Sequence, residues 1–284
     1  ASGPLVIVAL VVVLGLRGDR MNWPRTIGSA TPRAIGRQLG PGWLGGSAGV
    51  TAALLVFSVF LPLERLGLTR RTWAELPNLF RAAPEVIWNS VAFAAAAATV
   101  CVLVALVTWR LPVGLILWLP FLVPGVLLGR AMLAAFSGTA LYGTTGLVIL
   151  SFAVRYLALG WNGVALARGS VDRDLGDAAR LDGAGEWGLL RHAHWPEIAR
   201  QVGVAWYVTY LLCLWDVETL VLIYPPGGET LALRLFNLLH YGHSAQVNAL
   251  CLILLALAVA PLVVRFAICD LRFAIFRIRC PMAP

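Results

Sequence analysis

Four ionisable side chains stand inside long apolar runs: Arg130, Arg155, Asp216 and Glu218. A charge at hydrocarbon depth is costly, so each must face a bundle interior, a water-filled cavity or a partner. The chemistry open to them is charge pairing and the handling of a polar solute. A membrane-embedded enzyme would need a catalytic constellation such as HExxH or a paired-acid site. Only Asp216 and Glu218 are available, and residues two apart on a continuous helix lie on different faces. Counting rise per residue, Arg130 sits about six residues from the end of its run and the two acids about eight from theirs, with Arg155 near the middle. The depth match therefore pairs Arg130 with Asp216 or Glu218, either as a neutralising pair or as part of a gate.

Other reactive types are sparse. His192 and His194, like His240 and His243, lack the accompanying carboxylates or cysteines of a metal centre, so no metal site is expected. The five cysteines show no metal or redox spacing, and three fall in apolar runs where they act as small hydrophobes. No GxxxxGK[ST] phosphate loop is present, so the chain is not itself an ATPase of that kind and no cofactor is expected in it.

The elements that must hold these residues are membrane helices. At 60 % hydrophobic and 13 % charged residues, with mean hydropathy +0.82, the composition departs from that of soluble domains, which carry about 25 % charged residues. A span needs about 20 apolar residues. Complete spans are expected at 46–63, 87–109, 113–136, 144–167, 199–224 and 245–266, with a partial one within 1–16. Helices alone satisfy the backbone of such segments in lipid without closing a barrel, so the fold class is an all-α polytopic bundle. Pro120 and Pro124-Gly125 should kink the 113–136 span.

The net charge of +8 comes entirely from arginine, with no lysine in the chain. The arginines flank apolar runs, which marks topology and lipid-facing boundaries rather than nucleic-acid binding. With 168–200 placed in the cytoplasm and the spans alternating, fifteen arginines fall inside, five outside and two within spans. Residue 1 is then outside and the C-terminus inside. Residues 17–45, rich in Arg, Gly and Pro, read as a cytoplasmic linker between the end of a preceding unit and a six-helix core at 46–270. The rest, 271–284, reads as a cytoplasmic tail. Leu66–Glu85 is expected to hold a short surface helix. Asn89-Ser90 opens the next span, either as a helix cap or as a functional pair.

The polar loop at 168–197 is too long and too patterned for a connector. Asp177-Ala178-Ala179, then Gly183, then Pro196 read as a short helix, a glycine turn and a second short helix stopped by proline. This spacing resembles the EAA loop of the membrane subunits of binding-protein-dependent ABC importers, whose pattern is E-A-A, three residues, G, nine residues, I-x-L-P. Asp177, Ala193 and Trp195 replace the glutamate, isoleucine and leucine. The resemblance implies that Asp177, Ala178, Ala179, Gly183, Ala184, Trp187 and Pro196 dock on a cytoplasmic ABC ATPase dimer, which would bind the ATP and Mg. It implies two further partners: a second permease half or subunit, and a periplasmic or extracellular substrate-binding protein.

A second stretch, Trp215–Gly242, is similar to iron(III)-type permeases in its Glu218, Pro225-Pro226-Gly227, Thr230-Leu231, Arg234 and Phe236. That likeness makes iron(III) or a related small ion or solute the expected substrate, with thiamine, polyamine and sulfate permeases as relatives. It makes Pro225, Pro226, Gly227 and Arg234 candidates for binding-protein docking. Pro124, Arg130, Arg155, Asp216 and Glu218 are the path or gate candidates. The location implied is the bacterial inner membrane. A scaffold or anchor subunit is the alternative, but it has no need of a coupling loop.

Overall fold

A computed structural model of the chain describes residues 30–108, 111, 113–171, 177–178, 180–181, 183, 185 and 188–279. The expected helix fragment within 1–16 lies outside these residues. Every regular element among the described residues is helical, and the protein is an all-α polytopic bundle.

Helix α1 (Ala30–Leu55) passes through a π turn at Val56–Phe60 into α2 (Leu61–Leu68). The stretch expected to be a linker, 17–45, is helical from Ala30 onward. It breaks only at Gly40, whose φ of 78° suits a residue without Cβ. Pro41 follows at the start of the next helical stretch, where a missing N–H does no harm. None of the apolar stretch Gly45–Leu68 is buried against the rest of the chain.

Helix α3 (Arg70–Ala82) is the short surface helix expected from the sequence; it buries Thr72 and Leu79 and packs on the last helix. Helix α4 (Pro84–Thr108) opens on a proline and presents a face of small residues, with Ala94, Ala97, Ala98, Cys101 and Ala105 at most 1 % exposed. That face meets α7 (Thr145–Gly169) and α8 (Trp195–Trp215). Small residues let backbones approach where lipid supplies no hydrophobic drive. A Cβ on Gly163 would come within 2.5 Å of the Ala205 Cβ, and one on Gly160 within 3.1 Å of the Cys101 Cβ. Side-chain hydrogen bonds add to this packing. Trp206 Nε1 donates to Thr99 Oγ1 at 3.0 Å, and the hydroxyls of Tyr207 and Tyr210 donate to Ala258 O and Leu257 O at 2.9 and 3.1 Å. The latter two tie α8 to α11 (Ser244–Arg279).

Two expected spans are not continuous helices. The 113–136 segment is α5 (Gly114–Leu122) and α6 (Gly125–Phe136), bent by 103°. The 199–224 segment ends as a helix at Trp215 and resumes as the single turn α9 (Leu220–Ile223). After it come α10 (Leu231–His240) and α11. Among the described residues four helices are long and apolar enough to cross a membrane, five if the bent pair counts as one. Helix α8 is 21 residues long but is not among them. It carries Glu197, Arg200 and Gln201 near its start.

Candidate functional site

The two breaks lie against each other. At the first, Pro124 has no N–H, and its ring disfavours helical geometry at Val123, which is extended at φ −72°, ψ 134°. Gly125 N then stands free at the N-terminus of α6. At the second, Asp216 is extended at φ −75°, ψ 104°, and its own carboxylate starts the next turn. Asp216 Oδ1 accepts from Thr219 N at 3.0 Å and Oδ2 from Thr219 Oγ1 at 2.7 Å. Aspartate competes with helix propagation by bonding nearby backbone in this way.

Arg155, from the middle of α7, reaches both breaks. Its Nη1 donates to Asp216 Oδ1 and Oδ2 at 3.2 and 3.3 Å and to Thr219 Oγ1 at 2.6 Å; its Nη2 donates to Glu218 Oε2 at 3.0 Å. Tyr156 OH adds a bond to Asp216 Oδ2 at 3.0 Å. Gly125 N donates to the same Glu218 Oε2 at 3.0 Å, so a carboxylate caps the positive end of α6. One oxygen thus bridges α6, α7 and the α8–α9 turn.

The glycines make this approach possible. A Cβ on Gly125 would collide with Arg155 Nη1 and lie 2.6 Å from Glu218 Cβ, and one on Gly129 would lie 2.9 Å from Thr219 O. Burial is uneven across the site. The side chains of Arg155 and Asp216 are 13 % and 2 % exposed, while that of Glu218 is 62 % exposed. Arg155 Nε is buried with no partner among the described residues.

The pairing of Arg130 with an acid, expected from depth, is overturned. Arg130 is exposed and has no ion pair among the described residues; its place is taken by Arg155. Depth counted along straight helices fails because both helices are broken. The same break brings Asp216 and Glu218, expected on different faces, to one guanidinium. Pro124 lies at the site through its effect on the backbone. Sequence reasoning missed Tyr156 and Thr219, whose only signals were their places beside Arg155 and Glu218.

In the polar loop, Asp177 and Ala178 are helical and exposed, and Asp177 pairs with Arg180 at 3.3 Å on the surface. Gly183 has φ 82° and makes the expected turn. Ala179, Ala184 and Trp187 lie outside the described residues. Pro196 does not stop a second helix. A π segment at Leu189–His194 runs directly into α8, and Pro196 sits in that helix's first turn, where proline is tolerated.

The Pro225-Pro226-Gly227 turn is held by α4. Asn89 Nδ2 donates to Gly227 O at 2.8 Å and to Glu229 O at 3.2 Å. Ser90 Oγ donates to Val86 O and accepts from Leu231 N, both at 2.8 Å. Asn89 and Ser90 are therefore anchors inside a helix rather than its cap. Pro225 is buried, Pro226 and Gly227 are exposed, and Arg234 faces Glu229 at 3.8 Å. His240 Nδ1 lies 2.8 Å from Phe236 O.

Fold and site define a polytopic membrane protein whose charged centre joins two broken helices. The chain is similar to proteins named as transport permeases. The 2-aminoethylphosphonate transport system permease, so named, PhnV of Salmonella paratyphi A (strain ATCC 9150 / SARB42), is 30 % identical over 145 residues, 50 % of this chain and 55 % of the relative. That of Salmonella typhi is 30 % identical over 150 residues, with the same shares. The spermidine/putrescine transport system permease protein PotC of Escherichia coli (strain K12) is 33 % identical over 82 residues, 29 % of this chain and 31 % of the relative. The chain spans about half the length of the phosphonate-system relatives it matches. No family model matches it. These relatives are named as transport permeases, not as enzymes.

Proposed function

We propose that this chain is the membrane permease subunit of a binding-protein-dependent ABC importer in a bacterial inner membrane. The observation that carries the reading is its similarity to permeases of two transport systems. The charged cluster among broken apolar helices supports it, since non-helical backbone at membrane depth is tolerated only inside protein or beside a water-filled cavity. In this reading residues 46–270 form the permease core and 168–197 dock a cytoplasmic ATPase dimer. The Pro225-Pro226-Gly227 and Arg234 segment faces the binding protein, and a second permease half completes the path. Arg155, Asp216 and Glu218 line that path beside Pro124.

The iron(III) expectation finds no support in these relatives. Both named transport systems handle compounds bearing a primary amine, and the cluster holds two acids against one arginine. The substrate proposed is a small amine-bearing organic solute. Uptake by the complete transporter reads this directly: 2-aminoethylphosphonate or putrescine is expected to accumulate on ATP addition, and ferric ion is not. Accumulation of ferric ion alone would reinstate the first expectation; accumulation of none of the three would count against the amine class.

The orientation follows from the arginine distribution. A cysteine at Ser170, which is exposed, should react with an impermeant thiol reagent only from the cytoplasmic side. One at Asn78, exposed on α3, should react only from the other side. The reverse pattern would invert the topology and remove the loop from reach of an ATPase.

A further inference from the structure

Asp216 and Glu218 share one arginine but are held very differently. Asp216 is 2 % exposed and accepts bonds from Arg155, from Tyr156 and from both the backbone and side chain of Thr219. Moving it would strand several buried donors at once. Glu218 is 62 % exposed, and its bonds run through one oxygen to two donors, Gly125 N and Arg155 Nη2. Water can replace the protein on the open side of that carboxylate.

The exposed side of Glu218 cannot face lipid, because an ionised acid in hydrocarbon is too costly. It therefore faces the water-filled path or the second permease half that completes it. Its neighbour across the break, α6, meets the 218–223 segment through Gly125 and Gly129, which lie against Glu218, Thr219 O and the side chains of Leu222 and Ile223. At those two positions α6 itself contributes no side chain that would hinder separation.

We infer that Glu218 is the releasable latch of this site, its carboxylate pinning the N-terminus of α6 to Arg155, while Asp216 is the permanent anchor of that arginine. When the latch opens, the Arg155–Asp216–Tyr156–Thr219 set stays with α7 and the α8–α9 turn, and α6 swings away. The inference rests on the permease reading for its purpose, but the movement itself can be read without transport.

Spin labels at Val126 on α6 and Trp215 at the end of α8, both exposed, report the distance across the latch. The protein is the full chain in its complex, in lipid nanodiscs, with native cysteines replaced. Glu218→Ala is expected to move population from a short to a longer distance by about 5-fold or more, the lower range of coupling between sites. Basal ATP hydrolysis without substrate should rise with it. Glu218→Gln keeps an acceptor for Gly125 but loses the charge, and should give a smaller shift; it carries the test if the alanine variant does not fold. A distance distribution unchanged from the parent in the folded variants would overturn the latch, whatever the uptake assay shows. A shifted distance in a chain that binds no ATPase would leave the latch standing and remove the permease reading.

Discussion

Arg155→Leu is expected to destabilise the folded chain by about 3–5 kcal/mol, the cost of removing one partner from a buried ion pair. The loss comes from what is left behind. Asp216, 2 % exposed, would keep its bonds from Tyr156 and Thr219 but lose its only cation among the described residues, and the anion cannot reach water. Glu218 is mostly exposed and contributes little to this figure. Arg155→Leu combined with Asp216→Leu should recover much of the loss, because replacing both partners of a buried pair by apolar groups is often nearly neutral. Recovery is incomplete, since Tyr156 OH and Thr219 N then lose an acceptor. Arg130→Leu, at an exposed position with no ion pair among the described residues, should change stability by less than about 0.5 kcal/mol. Thermal unfolding of purified variants in one detergent checks all three. An Arg130 variant as damaging as the Arg155 variant, or a double variant no better than Arg155→Leu alone, would contradict the network.

The all-α bundle was legible because apolar run length and arginine placement are properties of composition along the chain. The turn at Gly183 was legible because few residues other than glycine take φ near 82°. What failed was any inference that assumed straight helices. Pro124 reads as a kink, but a proline that also forces Val123 into extended geometry splits one helix into two that meet at 103°. Asp216 reads as a residue within a span, yet its short carboxylate reaches Thr219 and ends the helix there. With both breaks unseen, Arg155 looked too deep to meet the acids and Arg130 looked well placed. Asn89 and Ser90 were ambiguous for a different reason. Their partners, Gly227, Glu229 and Leu231, lie about 140 positions away in the chain, at separations of 138, 140 and 141 residues, and local patterning holds no trace of such contacts. That the stretch 17–45 is helical from Ala30 on is not legible, because glycine and proline mark helix ends as often as irregular chain.

Ala178→Arg and Gly183→Asp are expected to abolish ATPase association and transport while leaving the chain itself folded. Ala178 and Gly183 are both exposed. A Cβ on Gly183 would meet nothing within 4 Å among the described residues, so a larger side chain there starts into open space. Strain at φ 82° remains, but aspartate tolerates left-handed geometry better than most residues. Gly183→Asn, which tolerates it equally and adds no charge, separates backbone strain from repulsion. The surface pair of Asp177 and Arg180, both more than half exposed, contributes at most about 1 kcal/mol and cannot explain a large effect. If the loop is merely solvated, both variants should stay within about 0.5 kcal/mol of the parent and transport normally. If it docks on a partner, an added arginine at Ala178 or carboxylate at Gly183 must be desolvated at the interface without a counter-ion, and the surfaces separate. The measurement is ATPase co-purification with the complete transporter, beside a melting temperature for the variant chain. Parent-like melting with lost association is the expected result. Parent-like melting with full association and full uptake in both variants would show that 168–197 is not the docking element.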